Sequence, residues 1–309
     1  MTALGRTGLD VSPLCLGGNV FGWTADETNS FAVLDAYAAA GGNFVDTADS
    51  YSAWVEGNRG GESEEIIGRW LAARGNRDRI VVATKVGRLP GKDDLHAGTI
   101  RQGVEDSLRR LQTDYIDLYY AHGDDHPEIP LEETLGAFDE LVRTGNVRHI
   151  AASNYEPPRL AEALAISTRD GLASYVALQP HYNLVERGYE GELREICADQ
   201  GLACLPYFSL AKGFLTGKYR PGGAPVDSPR SAGAAVYLDD RGIAALDALD
   251  DIAAGHGASV AAVALAWLAA QPTVATPIAS ARTPEQLAEL LPMAGLELTP
   301  GELARLGAV

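Results

Sequence analysis

Short apolar runs alternate with amphipathic stretches along nearly the whole chain of 309 residues. The runs at 80–85 and 115–122 are largely apolar throughout rather than alternating, which is typical of strands buried on both faces. Each run is followed by apolar residues at helical spacing, as in 99–111. Eight such units fit on the chain. Repetition at this length predicts the α/β class and a closed (β/α)8 TIM barrel.

The expected elements form one domain spanning 1–309. The predicted barrel strands are 14–16, 44–46, 80–85, 115–122, 147–153, 175–179, 202–207 and 274–278. The predicted helices that follow them are 24–40, 62–73, 99–111, 131–142, 157–166, 191–199, 260–270 and 284–291. An N-terminal β-hairpin at 4–13 and extra helices near the C-terminus, at 240–254 and after Thr299, lie outside the repeat.

An open doubly wound sheet is the alternative fold. It would place Gly-x-Gly-x-x-Gly after the first strand, and the chain has no such motif there. The glycines of 57–61 precede a helix but have neither that spacing nor a preceding strand. The segment 208–239 is rich in Gly, Pro and Ser, and a loop of this length is either functional or disordered.

The composition narrows the function classes. Lys and Arg number 25 against 42 Asp and Glu, so the net charge of −17 argues against a general binder of nucleic acid or anionic membranes. The three cysteines have no regular spacing, which argues against a disulfide framework or a structural zinc site. No signal peptide or apolar run of membrane-spanning length is recognisable, so a cytoplasmic location is expected. The oligomeric state stays open.

Four polar residues end consecutive predicted strands or lie just beyond them. Asp46 ends the strand 44–46, Tyr51 follows five residues later, and Lys85 and His122 end the next two strands. Each alone has a structural explanation, such as turn chemistry or a lysine extending to solvent. In a barrel, however, strand ends ring one mouth, so the four side chains are expected to converge there.

The chain resembles the aldo-keto reductases. The matching motifs are GGNFVDTADSY (41–51), GESEEIIGRWL (61–71), TKVG (84–87), DYIDLYYAH (114–122), GNVRHIAASN (145–154), LQPHYNL (178–184), PYFSLAKGFLTGKY (206–219) and PIASARTPEQL (277–287). They cover nearly the whole chain in family order. The resemblance implies a barrel, an NADPH cofactor bound without a Rossmann domain, and carbonyl reduction by hydride transfer.

The chemistry of reduction explains the four residues. Negative charge that builds on a carbonyl oxygen needs a proton, and Tyr51 can donate one although a phenol has a pKa of about 10. We expect the ammonium of Lys85 to lower the cost of forming phenolate, with Asp46 pairing to that lysine. His122 is expected to donate a hydrogen bond to the same oxygen. These four residues form the predicted catalytic set.

The resemblance also implies a cofactor site. Ser153, Asn154 and Gln179 match the groups that hold the nicotinamide carboxamide, and Tyr207 matches the aromatic residue that stacks on its ring. The loop that crosses the pyrophosphate corresponds to Ser209, Leu210, Gly213 and Lys218.

The 2′-phosphate of NADPH corresponds by resemblance to the start of the last barrel helix, where backbone N–H groups favour anions. The residues there are Ser280, Arg282, Thr283 and Gln286, and Glu289 would hold the adenine. Two positions depart from the family pattern. An Asn often follows that Glu, and Leu290 stands there instead, while Ala152 replaces a frequent glycine.

Trp23, Trp54 and Arg88 follow the first three strands and are predicted to rim the substrate entrance. The substrate is expected to be a small carbonyl compound or alcohol. The pair His122 and His126 lacks the spacing of a metal site, so no metal is expected. Two other functions stay open, a redox-sensing regulatory subunit that keeps barrel and cofactor, as in potassium-channel β subunits, and a non-catalytic sugar-binding barrel.

Overall fold

The computed structural model describes residues 1–309, and its centre is a sheet of eight parallel strands. These strands are β3 (Cys15–Gly17), β4 (Phe44–Asp46), β5 (Val81–Val86), β6 (Ile116–Ala121), β7 (Val147–Ser153), β8 (Tyr175–Gln179), β9 (Ala203–Cys204) and β10 (Ile278–Ala279). Their order is β10-β3-β4-β5-β6-β7-β8-β9. Successive strands from β3 to β9 are therefore neighbours, as expected for repeated strand–helix units, and the last strand, β10, lies beside the first, β3.

Hydrogen bonds between the two ends of this sheet close the barrel. The N–H of Cys204 donates to the carbonyl of Thr273 at 2.9 Å, and the N–H of Ala275 donates to the carbonyl of Cys204 at 2.9 Å. The N–H of Ile278 then reaches the carbonyl of Pro206 at 3.0 Å. The predicted (β/α)8 barrel is confirmed, and the open doubly wound sheet is excluded.

Helices surround the sheet. They are α1 (Glu27–Ala39), α2 (Glu62–Arg74), α3 (Ala97–Leu111), α4 (Leu131–Thr144), α5 (Pro157–Asp170), α6 (Glu192–Gln200), α7 (Ser231–Ala235), α8 (Asp240–His256), α9 (Val260–Ala269), α10 (Pro284–Leu290) and α11 (Pro300–Gly307). No single helix is both long and apolar enough to cross a membrane; only α8 and α9 together pass on length and composition, and they meet at a bend of 99°.

The predicted hairpin covers one end of the barrel. Its strands β1 (Thr2–Ala3) and β2 (Asp10–Val11) pair antiparallel. Leu4 and Val11 are fully buried and pack with Cys15 and other residues that point into the barrel. This end is therefore filled by apolar side chains, and the opposite end, where the strands stop at their carboxyl termini, is left for a site.

The last two barrel strands differ from their predicted bounds. A strand was predicted at 202–207, but β9 covers only Ala203–Cys204. Another was predicted at 274–278, but β10 lies at Ile278–Ala279. Pro206 and Pro277 lie in these segments and have no N–H to donate, so the hydrogen-bonded ladder is interrupted. The segment 208–239 contains a 3-10 helix at Ala211–Thr216 as well as α7.

A buried polar cluster lies between α2, β5 and α3. Glu64 is fully buried, accepts a hydrogen bond from Thr84 at 2.5 Å and pairs with Arg110 at 2.6 Å. Asp49 is 3% exposed, and its Oδ1 has no hydrogen-bond partner. Burial, and then the charge of Glu64, raises the pKa of Asp49 to about 8. Asp49 therefore carries a proton in the folded protein at neutral pH.

The Asp49→Asn variant is expected to be more stable than the wild type at alkaline pH. The pKa of Asp49 is higher in the folded than in the unfolded chain, so its contribution to stability is complete below about pH 4 and is lost as the pH rises towards 8. Asparagine cannot ionise, so near pH 8.5 the free energy of unfolding of the variant should exceed that of the wild type by on the order of a few kcal/mol. Urea denaturation at about pH 5.5, 7 and 8.5 measures this gain.

The exposed Asp247→Asn serves as the matched control, because its carboxyl lies on the surface of α8. A gain in stability for Asp49→Asn that is the same at all three pH values would contradict the conclusion that Asp49 is protonated in the folded protein.

Candidate active site

Three of the four candidate catalytic side chains meet in direct contact at the open end. Lys85 Nζ lies 2.7 Å from Asp46 Oδ2, 2.7 Å from the carbonyl of Thr47 and 2.9 Å from Tyr51 Oη. Asp46 ends β4 and Lys85 lies in β5, so the parallel pairing of these strands brings the two together. An ammonium has three hydrogens to donate. Each therefore has its own acceptor, which fits a charged lysine.

The pKa of Tyr51 differs from the sequence-based expectation. We expected Lys85 to lower it, but burial and the negative charge of Asp46 raise it well above 10. The Tyr51 hydroxyl donates to Asp46 Oδ2 at 3.2 Å. The pKa of Lys85 is lowered by burial, and Asp46 opposes that shift. The resting phenol therefore keeps its proton and can donate it.

His122 follows β6 and lies beside Tyr51, with their rings 6.1 Å apart. Its Nδ1 lies 3.4 Å from Ser50 Oγ. Burial, with the nearby charges of Lys85 and Arg88, lowers the pKa of His122 well below 6.5. The imidazole is therefore neutral at physiological pH, and it carries one N–H that can act as a hydrogen-bond donor.

A cavity of about 720 Å³ extends from these residues. The residues of its wall that the sequence had singled out are Asp46, Tyr51, His122, Ser153, Asn154, Gln179, Tyr207, Ser209, Leu210, Gly213, Lys218, Ser280, Arg282, Gln286, Glu289, Trp23, Trp54 and Arg88. Lys85 lies behind Asp46 and Tyr51 rather than in the wall. Thr283 is also outside the wall, and its side chain instead caps α10 by accepting from the N–H of Gln286.

Hydrogen bonds connect the catalytic candidates to polar residues at the carboxyl ends of β7 and β8 and beyond β9. Gln179 Nε2 donates to Asp46 Oδ1 at 2.9 Å, and Ser153 Oγ donates to the carbonyl of Gln179 at 2.8 Å. Asn154 Nδ2 lies 3.0 Å from Ser153 Oγ, and Asn154 Oδ1 accepts from the Tyr207 hydroxyl at 2.8 Å. These amide and hydroxyl groups are fixed by one another at one end of the cavity.

The other end of the cavity is formed by the loop before α10. Ser280 Oγ donates to Asn19 Oδ1 at 2.7 Å, and the N–H of Arg282 donates to Gln286 Oε1 at 3.0 Å. Leu290 contributes an apolar surface there. The backbone is packed closely at this point, because a Cβ on Gly17 would lie 2.6 Å from Ser280 Oγ.

The cavity wall carries four cationic side chains without an acidic partner. No carboxylate lies within 4.0 Å of the charged groups of Lys212, Lys218, Arg230 or Arg282. Lys218 is exposed, but the other three are half-buried, whereas nearly all other arginines of this acidic chain form ion pairs or stay exposed. Unpaired cations collected along one wall favour an anionic ligand there.

Two of these cations, Lys212 and Arg230, were missed by the sequence analysis. Both lie in the segment 208–239, which the structure folds back over the cavity. Lys212 has a left-handed backbone with φ of 58°, followed by Gly213 with φ of 95°. Arg230 lies over the ring of Trp23 at 5.3 Å. The sequence signal for them was the presence of basic residues in a Gly- and Pro-rich loop. That these residues meet at the cavity depends on how the loop folds, which the sequence pattern does not show.

The three predicted entrance residues lie near Tyr51. The rings of Trp23 and Trp54 meet edge to face with centroids 5.5 Å apart, and Trp54 is 53% exposed. Arg88 forms an ion pair with Asp125 at 2.6 Å. No group of three or more His, Cys, Asp or Glu side chains is arranged to hold a metal ion.

Known proteins resemble this chain over nearly its full length. A model of the Aldo/keto reductase family matches residues 13–309. The uncharacterized oxidoreductase YrpG of Bacillus subtilis is 37% identical over 94% of this chain and 89% of its own length. The norsolorinic acid reductase stcV of Emericella nidulans is 33% identical over 96% of this chain and 77% of its own. The probable voltage-gated potassium channel subunit beta of Oryza sativa is 34% identical over 93% of this chain and 88% of its own length. The chain therefore belongs to the aldo/keto reductase family of oxidoreductases.

Proposed function

We propose that the protein reduces an aldehyde or ketone with NADPH, or oxidises the alcohol in reverse, and that Tyr51 exchanges the proton. The observation that carries the proposal is the contact of Tyr51 Oη with Lys85 Nζ at 2.9 Å, at one end of a cavity whose wall holds four unpaired cations. The first feature suits acid catalysis at a carbonyl oxygen. The second suits a polyanionic cofactor.

The chemistry of the wall fits NADP(H). Ser153, Asn154 and Gln179 would hold the carboxamide, with Tyr207 against the ring. They lie at the catalytic end of the cavity, because Gln179 donates to Asp46 and Asn154 donates to the carbonyl of His122. Arg230 lines the same wall, lies over the ring of Trp23 at 5.3 Å and has no acidic partner, so its guanidinium is available to a pyrophosphate. The loop residues named from the sequence, Ser209, Leu210, Gly213 and Lys218, line the same cavity.

The 2′-phosphate is assigned to Arg282 and to Ser280, whose hydroxyl would turn from Asn19 to donate to the phosphate. A guanidinium binds a phosphate with two parallel hydrogen bonds, and the side chain of Arg282 has no competing partner in the protein. Gln286 and Thr283 hold the loop that carries it, one through the N–H of residue 282 and one by capping α10. Glu289 would contact the adenine.

When bound, the dihydronicotinamide ring would supply the hydride for the carbonyl carbon. Tyr51 then gives its proton to the carbonyl oxygen as negative charge develops there. Its high pKa keeps that proton in place until the oxygen becomes more basic. Lys85 stabilises the phenolate that is left, through the contact of 2.9 Å.

His122 and Asp46 position the reacting groups. The neutral imidazole of His122 is beside Tyr51 and would donate its hydrogen bond to the same carbonyl oxygen. Asp46 holds Lys85 at 2.7 Å and favours its charged form against burial. Gln179 in turn fixes the second oxygen of Asp46.

The Tyr51→Phe variant should lower kcat by about 10²–10⁴-fold, because it removes the proton donor and keeps the ring. NADPH affinity should change little, since the hydroxyl points to Asp46 and Lys85. Reduction of 4-nitrobenzaldehyde is followed at the NADPH absorbance band, and affinity by fluorescence titration. Tyr115→Phe is the matched control, because its hydroxyl only contacts the carbonyl of Arg77 at 3.5 Å. Wild-type turnover in Tyr51→Phe would remove this residue from the mechanism.

The Arg282→Ala variant should weaken NADPH binding by about 10–10³-fold and leave NADH nearly unchanged, because only NADPH has the 2′-phosphate. Fluorescence titration gives both dissociation constants. Arg143→Ala is a suitable control, since that side chain is 80% exposed. Equal losses for the two cofactors would show that Arg282 does not recognise the phosphate.

A regulatory subunit that senses redox state is the second candidate, and the similarity to the potassium channel subunit beta favours it. Such a protein would bind NADPH in the same cavity. The two candidates differ in turnover. Multiple turnovers of 4-nitrobenzaldehyde support the enzyme, whereas NADPH binding without turnover of a broad carbonyl panel would favour the regulatory subunit.

A further inference from the structure

We propose that Asp125 is a specificity-determining residue: it occupies Arg88 in an ion pair and thereby directs the site to uncharged aromatic carbonyl compounds and against those that carry a carboxylate. The inference rests on the proposed carbonyl reduction. It adds a substrate class, which neither the family nor the named relatives assign to this chain.

The entrance beside Tyr51 is built from aromatic side chains. Trp54 packs edge to face on Trp23 at 5.5 Å and against Tyr51 at 6.2 Å. It stays 53% exposed at the mouth, one of three large hydrophobic residues that are exposed in the chain. A planar ring that stacks there would cover this apolar surface and bring an attached carbonyl towards Tyr51 and His122.

Arg88 brings a positive charge to the same end of the cavity. It lines the wall, and its charge contributes to the low pKa of His122 and affects that of Tyr207. It would be a natural partner for a substrate carboxylate. However, its Nε lies 2.6 Å from Asp125 Oδ2 and its Nη2 lies 2.8 Å from Oδ1. Asp125 therefore occupies the side-on edge of the guanidinium, one of its two bidentate edges, and neutralises its charge.

The local backbone is shaped for this ion pair. A Cβ on Gly123 would lie 2.4 Å from Arg88 Nη2, so the guanidinium packs directly against the backbone of residue 123 on its way to Asp125. The hydrogen bond from Arg88 lowers the pKa of Asp125, which keeps that carboxylate ionised. The neighbouring Asp124 is paired with Arg159 and is not free to exchange.

A carboxylate on the substrate would meet two penalties. It would have to displace Asp125 from the side-on edge of Arg88 or share the guanidinium with it, and in either position the negative charge of Asp125 would repel it. Arg230, which also lines the cavity, is assigned to the cofactor pyrophosphate and is then occupied as well. An ester of the same shape avoids both penalties.

Two aldehydes of nearly equal size test the proposal, methyl 4-formylbenzoate and the 4-formylbenzoate anion. The quantity measured is the ratio of kcat/KM for the ester to that for the anion, with NADPH saturating. The wild type should prefer the ester. Asp125→Ala should shift the ratio towards the anion by about tenfold, mostly through KM, because it frees a bidentate cation. Asp125→Asn should shift it in the same direction.

Two further variants show whether Arg88 is responsible. Glu128 lies in the same loop but pairs with His126 rather than with Arg88. The variant Glu128→Gln therefore removes one negative charge without freeing Arg88, and the ratio should stay within twofold of the wild type. In the double variant Asp125→Ala with Arg88→Gln, the gain for the anion should disappear. The proposal is overturned if Asp125→Ala leaves the ratio unchanged, if Glu128→Gln shifts it equally, or if the double variant keeps the gain. A wild type that reduces neither aldehyde nor any other carbonyl would instead refute the proposed function.

Discussion

The ion pair between Lys85 and Asp46 is the interaction on which the candidate site depends. Both side chains are almost fully out of water, with 0% and 2% exposure, at a separation of 2.7 Å. Burying two charges costs several kcal/mol per ion unless their hydrogen bonds are complete. Here Gln179 holds the second oxygen of Asp46, and Lys85 has three acceptors. The fold therefore tolerates a buried ammonium next to Tyr51, where it can stabilise a phenolate.

The barrel explains how a strongly acidic chain can present a site for a polyanion. One end is filled by the hairpin, so a ligand can enter only where the strands end. There the loop 208–239 and the loop before α10 collect four cations without acidic partners. The net charge of −17 is spread over the whole chain, and salt screens distant charges while those within the cavity act at short range. Local arrangement, rather than net charge, decides which ligand the cavity favours.

Sequence patterns predicted the fold where the strands are continuous and apolar. The bounds of β4, β7 and β8 agree with the prediction, whereas β9 and β10 do not, because Pro206 and Pro277 interrupt their ladders. The strand order brought Asp46, Lys85 and His122 to one mouth, as expected. Long-range side-chain contacts could not be predicted, because periodicity carries no information on the pairing of Arg88 with Asp125 or on the position of Arg230. The pKa of Tyr51 was also misjudged, because it depends on burial that only the fold defines.

The most direct test of the account is whether Lys85 and Tyr51 act as one unit. The single-turnover rate of aldehyde reduction is measured with NADPH bound in Lys85→Met, in Tyr51→Phe and in the double variant. If Lys85 acts through Tyr51, the double variant is no slower than the slower single variant, because the second change removes nothing further. A double variant whose loss equals the product of the two single losses would contradict the account, since Lys85 would then contribute independently of Tyr51.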